Sequence, residues 1–342
     1  MYVQRKGLAG TRLKYSMKAR TRCCRSSSET KLPRLRSRQV RMLNQISTWL
    51  SHEQCHQEGR RDDGAPELEV EFDGGMIPVA TLEPIESDDG EGEPELTPVR
   101  KLPRRRKDCR REEVKARLAQ KPGEVTRLYS LRPTGGLAEA FDDLLGLACL
   151  KGWTEDTQVR GLADGATHIR YRMEATFHAG EFRFILDRPH CKEHLSKAGE
   201  ALQALSGVPA QQWADGALDA LEIGQAQQVV GELRTAFETS DDDTLRREVN
   251  YFERNQDAVA YAQCRALGWS TASGEIESAH GHIVQARMKI AGAWWHPDNV
   301  DNVLALRMPK VNGWWDEYWT GQRAAWAERA ASFAAPRLAQ AE

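Results

Sequence analysis

Long apolar runs are absent from this sequence of 342 residues. No stretch of about eighteen consecutive apolar residues occurs, which argues against an ordinary membrane-spanning helix. The first residues carry charges throughout and lack the apolar core of a signal peptide, so we expect no secretory signal. These two absences predict a protein that neither crosses a membrane nor is exported.

Paired cysteines are also absent. The seven cysteines form no CxxC pair. Their odd number and irregular spacing are typical of reduced thiols in a cytoplasm rather than of a disulfide framework. The sequence has no Walker-type glycine-rich loop either, so no nucleotide cofactor is predicted.

The charge of the chain is unevenly distributed. Residues 1–58 contain thirteen Lys or Arg and three Glu, a net charge of +10, whereas the whole chain carries −2 and the remainder therefore −12. A basic segment of this kind suits a nucleic-acid-binding arm, because phosphate contacts supply most non-specific affinity. A disordered segment explains the same composition.

Apolar periodicity divides the chain into strands and helices. Three strands are predicted first, over 68–73, 76–82 and 114–118, with a Gly74-Gly75 turn between the first two and an exposed loop over 83–107. A helix over 137–151 and two buried strands, 159–163 and 182–186, come next. Helical patterns then cover 189–267, 275–290, 298–307 and 313–333.

The order of these elements predicts the fold class. The first three strands suit an antiparallel meander, and the later strands require a crossover helix. This is the order of an RNase H-like α/β fold: a mixed sheet flanked by helices, with an all-helical insertion before the last catalytic helix.

Three carboxylates stand where predicted elements end or begin. Asp73 precedes two glycines, and Asp164 directly follows an apolar strand, where α/β folds place ligand groups; Asp-Gly is also a common turn signal. Glu277 lies in the first turns of a helix, and the alternative there is a solvent-facing residue or part of a cap around Ser273. Three carboxylates on separate elements are what a two-metal phosphoryl-transfer site requires.

A second group of titratable residues follows the strand that ends at Asp187. His190 and His194 lie four residues apart, so a helix would place them on one face at a spacing used for zinc, with Asp187 as a third ligand. Pro189 suits a helix start instead. Two readings stay open: a zinc or metallohydrolase site, and a structural or proton-sharing role beside the carboxylates.

Basic and aromatic residues near the C-terminus suggest nucleic-acid contacts. Arg287 and Lys289 follow Glu277 along its helix, where they would reach phosphate or form a solvated face. The tryptophan pairs at 294–295 and 314–315 would stack on bases or pack at the edge of the core.

Several motifs occur together between Glu67 and Trp319. In chain order they are Glu71-Phe-Asp73-Gly-Gly75, Leu162-Ala-Asp164-Gly-Ala166, Leu186-Asp187-Arg-Pro-His190, Tyr251-Phe252 with Asn255, Ser273-Gly-Glu-Ile-Glu277-Ser with Gln285-Ala-Arg287-Met-Lys289, Leu304-Ala-Leu-Arg307, and Asn312-Gly-Trp-Trp-Asp-Glu-Tyr-Trp319. Together they resemble the DDE-type insertion-sequence transposases, specifically the ISKra-like group of the Mutator-like branch. The resemblance covers most of the chain.

The resemblance implies a reaction and the residues that perform it. Asp73, Asp164 and Glu277 would be the catalytic triad, since the family's last acid precedes the serine that stands here as Ser278. They would hold two Mg²⁺ or Mn²⁺ ions for cleavage and strand transfer of DNA.

Further residues and partners are implied in the same way. Asp187 and His190 would match the family's Cys/Asp-x-x-His element, which lies near the site. The implied partners are DNA, at the element ends and at the target, and other copies of the chain in a homo-oligomer on DNA. The implied location is the cytoplasm, in association with the nucleoid.

Domain boundaries follow from the resemblance and the element order. The predicted parts are a basic N-terminal segment (1–65), the first part of the core (66–189), a helical insertion (190–265), and the catalytic helix with C-terminal helices (266–335). Residues 1–65 do not resemble the family's helical DNA-binding region, which indicates a substituted, truncated or out-of-frame N-terminus and impaired recognition of DNA ends. The alternative functions are a non-catalytic DNA-binding remnant of a mobile element and a metal-dependent hydrolase using Asp187, His190 and His194.

Overall fold

A mixed five-stranded sheet forms the centre of the protein. The computed structural model describes residues 64–84, 105–124, 127–132 and 136–338. The strands are β1 (Glu67–Pro84), β2 (Arg105–Gln120), β3 (Arg127–Arg132), β4 (Gln158–Ala163) and β5 (Glu181–Leu186). They lie side by side in the order β3-β2-β1-β4-β5.

The sheet combines an antiparallel half with a parallel half. β1 pairs with β2, and β2 with β3, in antiparallel register. β4 runs parallel to β1, and β5 runs parallel to β4. Helices α1 (Leu137–Leu150) and α2 (Thr167–Thr176) make the crossovers that parallel neighbours require. The predicted mixed sheet flanked by helices is therefore confirmed.

The predicted Gly74-Gly75 turn is wrong. β1 is continuous through both glycines, which pair with Lys115 and Val114 of β2. A glycine pair is a strong turn signal in sequence, but at Gly75 it serves a different purpose. The buried ring of His280 lies directly against this part of the strand, where a Cβ atom would not fit.

Other strand boundaries also differ from the prediction. β1 is a single strand that covers both of the first two predicted strands, and β2 begins inside the predicted loop over 83–107. β3 and α2 were not predicted, because both are short and neither has a clean apolar period. Residues 85–104 of that loop, and residues 1–63 of the predicted basic segment, lie outside the described ranges.

The helical character of the region after β5 is confirmed. Its helices are α3 (Arg188–Ser206), α4 (Ala210–Glu222), α5 (Ala226–Ser240), α6 (Asp243–Asn255) and α7 (Tyr261–Ala266). The predicted breaks occur, since Gly207 ends α3 with a left-handed φ of 73° and Asp241 ends α5 with φ of 51°. Further breaks separate α4 from α5 and α6 from α7.

The C-terminal helices follow this region. They are α8 (Gly274–Ala279), a π-helical segment (His280–Gln285), α9 (Ala286–Met288), α10 (Pro297–Val311) and α11 (Trp315–Leu338). The first three are continuous, and we call them together the Glu277 helix. No helix in the described part of the chain is both long and apolar enough to span a membrane.

Alternate residues of β1 face two different helical layers. Leu68 and Phe72 pack with α1, where the rings of Phe72 and Phe141 stack with centroids 4.9 Å apart. Ile77 and Val79 belong to a second core beneath the Glu277 helix and α10. Because side chains alternate along a strand, Asp73 shares the face of Ile77 and Val79. The first candidate carboxylate therefore lies on the same side of the sheet as the Glu277 helix.

Candidate active site

Three neighbouring strands carry one aspartate each near the point where their parallel pairing ends. Asp73 does not end a strand as predicted, since it lies within the continuous β1, whereas Asp164 and Asp187 directly follow β4 and β5. The pairing of β1 with β4 runs to Glu71 and Leu162, and that of β4 with β5 ends one residue before Asp164 and Asp187. Continued past these pairs, the same register sets Asp73, Asp164 and Asp187 side by side. Neighbouring strands lie about 4.8 Å apart, which brings the three aspartates into one row.

Asp73 contacts a buried histidine of the π-helical segment. Its Oδ2 lies 3.4 Å from Nε2 of His280, whose residue is 3% exposed. This close approach needs glycine at position 75, because a Cβ atom there would lie 2.5 Å from Nδ1 of His280. Burial raises the pKa of Asp73, His280 opposes that rise, and the negative charge of Asp164 adds to it.

The loop that carries Asp164 is held by α6. The Tyr251 hydroxyl donates to the Asp164 carbonyl oxygen at 2.8 Å, and the Asn255 amide donates to the Gly165 carbonyl at 3.2 Å. Oδ1 of Asp164 accepts the backbone N–H of Ala166 at 2.9 Å, so the turn interpretation applies to this oxygen. Within the described ranges Oδ2 accepts no hydrogen bond, which leaves one carboxylate oxygen for a ligand.

Asp187 joins the end of β5 to the start of the Glu277 helix. Its Oδ1 accepts the backbone N–H of Ser273 at 2.6 Å, and its Oδ2 accepts the backbone N–H of His190 at 3.1 Å and lies 2.6 Å from Nδ1 of that ring. Burial alone would raise the pKa of Asp187, but these hydrogen bonds outweigh burial and lower it. Asp187 therefore stays ionised and fixes two neighbouring elements.

The predicted cap at Ser273 is wrong. Ser273 precedes α8 but makes no side-chain cap hydrogen bond. Its backbone N–H donates to Oδ1 of Asp187 at 2.6 Å.

Glu277 is exposed in the first turn of α8. Burial raises its pKa, and the negative charges of Asp187 and Asp73 raise it further, whereas His190 lowers it. Although Glu277 and Asp73 are far apart in sequence, the fold brings them close enough to interact electrostatically.

His190 supplies positive charge to this group of acids. Its hydrogen bond with Asp187 raises its pKa to about 9, burial opposes the rise, and the charges of Asp73 and Asp164 support it. The ring is therefore protonated near neutral pH. Since His190 also acts on Glu277, one imidazolium interacts with all three predicted acids.

Comparisons with known proteins add no assignment to this geometry. No protein-family model matches the chain, and a search of curated proteins finds no significant match. Residues and their arrangement therefore carry the assignment of function.

Carboxylate oxygens are the donors that the predicted triad offers to a cation. Burial is the main cause of the raised pKa values of Asp73 and Glu277, and neighbouring negative charges, which a divalent cation would offset, add to the rise. Mg²⁺ and Mn²⁺ prefer such hard oxygen donors. Across the described ranges no three His, Cys, Asp or Glu side chains lie close enough together to hold a metal ion. The donor chemistry fits the cation, and Asp73, Asp164 and Glu277 would have to move closer together to hold it.

Glu71 is a functional candidate that the sequence pattern missed. Its side chain is buried, and Oε2 accepts the backbone N–H of Ile276 at 2.9 Å in the first turn of α8. Burial raises its pKa to about 8. The alternation along β1 predicted one buried face, but Glu69 and Glu71 are buried as well. Glu71 lies two residues from Asp73 on the same face of β1, and that spacing was the available signal.

The two predicted zinc-spaced histidines have different partners. Nδ1 of His194 lies 2.6 Å from Oε2 of Glu248, and its ring stacks on Tyr251 with centroids 3.6 Å apart. His190 is bonded to Asp187 instead. The structure thus brings His190, and not His194, into the interactions described for the aspartates.

The predicted DNA contacts lie at the surface. Arg287 and Lys289 are exposed near the end of the Glu277 helix, where both are available to phosphate. Trp294 is exposed with the Lys107 ammonium 4.7 Å from its ring centroid. Trp295 packs against the core beneath the Glu277 helix, which excludes it from stacking on bases in this arrangement.

Proposed function

We propose that this protein is a metal-dependent polynucleotidyl transferase of the DDE type, with an RNase H-like core and a helical insertion over 190–265. It would cleave and join DNA strands as a transposase does. The observation that supports the proposal is the approach of two acids, Asp164 and Glu277, to Asp73 from separate elements, although the three are not close enough together to hold a metal ion as they stand. Asp73 interacts with Asp164 across neighbouring strands and with Glu277 from the covering helix.

Sheet order supports the same proposal. Three antiparallel strands followed by two parallel ones agree with the core that the transposase resemblance implies. The helical region enters after β5 and returns just before the Glu277 helix, which is the implied place of the insertion. The motif resemblance and the sheet order are separate lines of support.

The chain's own residues would hold and orient the reacting groups. Asp73, Asp164 and Glu277 would bind Mg²⁺ or Mn²⁺, which when bound would activate a water or a DNA 3′-hydroxyl and stabilise the leaving oxygen. Asp187 and His190 would set the position of the Glu277 helix and offset the negative charge of the acids. Exposed Arg287 and Lys289 would contact the DNA phosphates.

Strand cleavage of supercoiled DNA in the presence of Mg²⁺ or Mn²⁺ tests this proposal. We expect Asp164→Asn to lower the cleavage rate by more than about a hundredfold, because even residues outside the ligand shell cost 10–100-fold. The matched control is Asp156→Asn, at an exposed turn before β4, which should cleave like the parent. Equal cleavage by the Asp164 variant, with circular dichroism showing an intact fold, would contradict the proposal.

The alternative functions make different predictions. A DNA-binding remnant would bind DNA through its exposed basic residues without metal-dependent cleavage by the parent protein. A zinc hydrolase would contain stoichiometric zinc, but the pairing of His190 and His194 with different carboxylates gives no observation in its favour.

A further inference from the structure

The last helix, α11, carries an exposed stripe of tryptophans. Trp315, Trp319, Gln322 and Trp326 follow one another at spacings of four, three and four, which is the core pattern of a coiled coil. Trp315 is 39% exposed and Trp326 is 44% exposed. Trp319 is half-buried because it packs between them, with ring centroids 5.6 Å and 6.2 Å away. A contiguous exposed apolar stripe of this kind marks an interaction surface.

Gln322 places an unsatisfied acceptor within the stripe. Its Oε1 is shielded from solvent and has no hydrogen-bond donor among the described residues. Leaving a buried polar atom without a partner is unfavourable. Rotation of the side chain towards an N–H group of a partner would relieve that cost, and the indole of tryptophan is such a donor.

Charges beside the stripe are complementary along the helix. Asp316 and Arg323 each follow a stripe residue directly, so they lie on the same flank two turns apart, and both are exposed. Two antiparallel helices bring the same flank of each copy together. Asp316 of either copy then faces Arg323 of the other, which gives two favourable pairs. A parallel arrangement would place Tyr318 and Ala325 opposite these charges instead.

We propose that α11 is a self-association surface on which two copies of this chain pack their helices antiparallel. Trp315 of each copy then faces Trp326 of the other, and Trp319 faces Gln322. Every layer contains a tryptophan, and the indole N–H of Trp319 donates to Oε1 of Gln322 across the interface. This surface does not depend on the proposed reaction.

Single-stranded nucleic acid is the other ligand that stacks on tryptophans, but the charge of α11 favours a protein partner. Through residue 331 the helix carries three acidic side chains and two basic ones; they are Asp316, Glu317 and Glu328, and Arg323 and Arg329. A surface that binds phosphates needs an excess of basic groups.

Analytical ultracentrifugation of the full chain tests the interface. We expect a reversible dimer whose dissociation constant rises at least about tenfold in Trp319→Ala and in Trp326→Ala, because buried tryptophans dominate interface energies. Trp294→Ala is the matched control, since Trp294 is equally exposed but lies outside α11, and it should leave the dimer unchanged. Circular dichroism of each variant verifies that the helices are retained.

A charge exchange tests the antiparallel arrangement. Asp316→Arg and Arg323→Asp should each weaken the dimer severalfold, and the double variant should restore it because the pairs form reciprocally. A monomeric parent protein, or a double variant no tighter than the single ones, would overturn the proposal. A second result would also overturn it: a monomeric parent protein whose tryptophan fluorescence responds to oligothymidylate, with no response in Trp319→Ala. That result would assign the surface to nucleic acid.

Discussion

His280 Nε2 lies 3.4 Å from Asp73 Oδ2, at the start of the π-helical segment that covers Gly75. Both ring nitrogens are shielded from solvent and have no hydrogen-bond partner among the described residues. Burial lowers the pKa of His280, and the charge of Asp73 opposes that change. π-Helical turns are rare in proteins, and many of those that exist lie at functional sites. Here the turn delivers a buried ring to a candidate metal-binding acid.

The first prediction concerns the space that Gly75 leaves for this ring. Gly75→Ala should destabilise the fold by about 1–3 kcal/mol, because the new methyl group overpacks against His280. Urea unfolding measures the change. Gly216→Ala is the matched control, since Gly216 is exposed within α4 and has open space around its Cα. That control should be more stable than the parent by about 0.5–1 kcal/mol. Equal effects at the two positions would refute the close approach of His280.

The second prediction concerns the buried carboxyl of Glu71. Burial raises its pKa from 4.5 to about 8, so the fold favours the neutral form. Stability from this group is complete below pH 4.5 and is lost as the pH rises towards 8. Glu71→Gln keeps an acceptor for the Ile276 N–H and cannot ionise. We therefore expect its stability relative to the parent to increase by a few kcal/mol between those pH values.

Parallel urea titrations of both proteins across this pH range provide the measurement for Glu71. Glu200→Gln, on an exposed position of α3, is the baseline variant. A stability difference between parent and Glu71→Gln that does not change with pH would show that Glu71 ionises without cost.

The third prediction concerns the ion pair of His190 and Asp187. The pKa of His190 rises from 6.5 to about 9, so its stabilisation is complete below pH 6.5 and disappears as the pH passes 9. His190→Gln should therefore be less stable than the parent at pH 6.5, and the difference should shrink by on the order of 3 kcal/mol at pH 9.5. Ionisation of Glu71 is common to both proteins and cancels in the comparison.

Control measurements for His190 use a histidine outside the site. His168→Gln, at an exposed position of α2, should show no comparable pH trend. In an Asp187→Asn background the pH dependence of the His190 difference should largely vanish, because the main cause of the raised pKa is removed. Persistence of the full trend in that background would separate His190 from Asp187.

The fourth prediction distinguishes two neighbouring glutamates of α8. Glu277→Gln should abolish metal-dependent DNA cleavage, whereas Glu275→Gln should retain it within about tenfold. Glu275 forms an ion pair with Arg127 at 2.8 Å, so its loss affects a partly exposed contact worth about 1 kcal/mol or less. Cleavage rates of the two variants under identical metal conditions provide the check. Loss of activity in the Glu275 variant alone would reassign the third acid.

Elements with dense local signals could be predicted from the sequence. β4 and β5 were found because short apolar runs end at Asp164 and Asp187, and α1 was found from its apolar stripe. The continuity of β1 could not be predicted from the sequence, because Gly74-Gly75 has the local pattern of a turn. The ring of His280, more than two hundred positions later in the chain, explains the glycine at position 75.

Buried polar groups were the least predictable part of the candidate site. Glu71 alternates with apolar residues along β1 like a solvent-facing carboxylate, and its burial depends on the Glu277 helix above it. Asp164 and Glu277 were singled out from their positions at predicted element ends, and Asp73 from a turn that the continuous β1 does not contain. His190 was expected beside them, but the hydrogen bond to Asp187 that holds its charge there was found only in the fold. Sequence patterns report the nearest neighbours along a chain, whereas these pairings join distant segments.

The hydrogen bond from Ser273 to Asp187 joins residues 86 positions apart, and Arg188 N–H binds the Thr271 carbonyl beside it at 2.9 Å. The chain therefore leaves the sheet and rejoins it at one point. The segment between Arg188 and Thr271 begins and ends at the same place, so its length does not set the distance between β5 and the Glu277 helix. Its parts away from α6, which holds the Asp164 loop, can be lengthened, shortened or exchanged during evolution while the row of aspartates keeps its geometry.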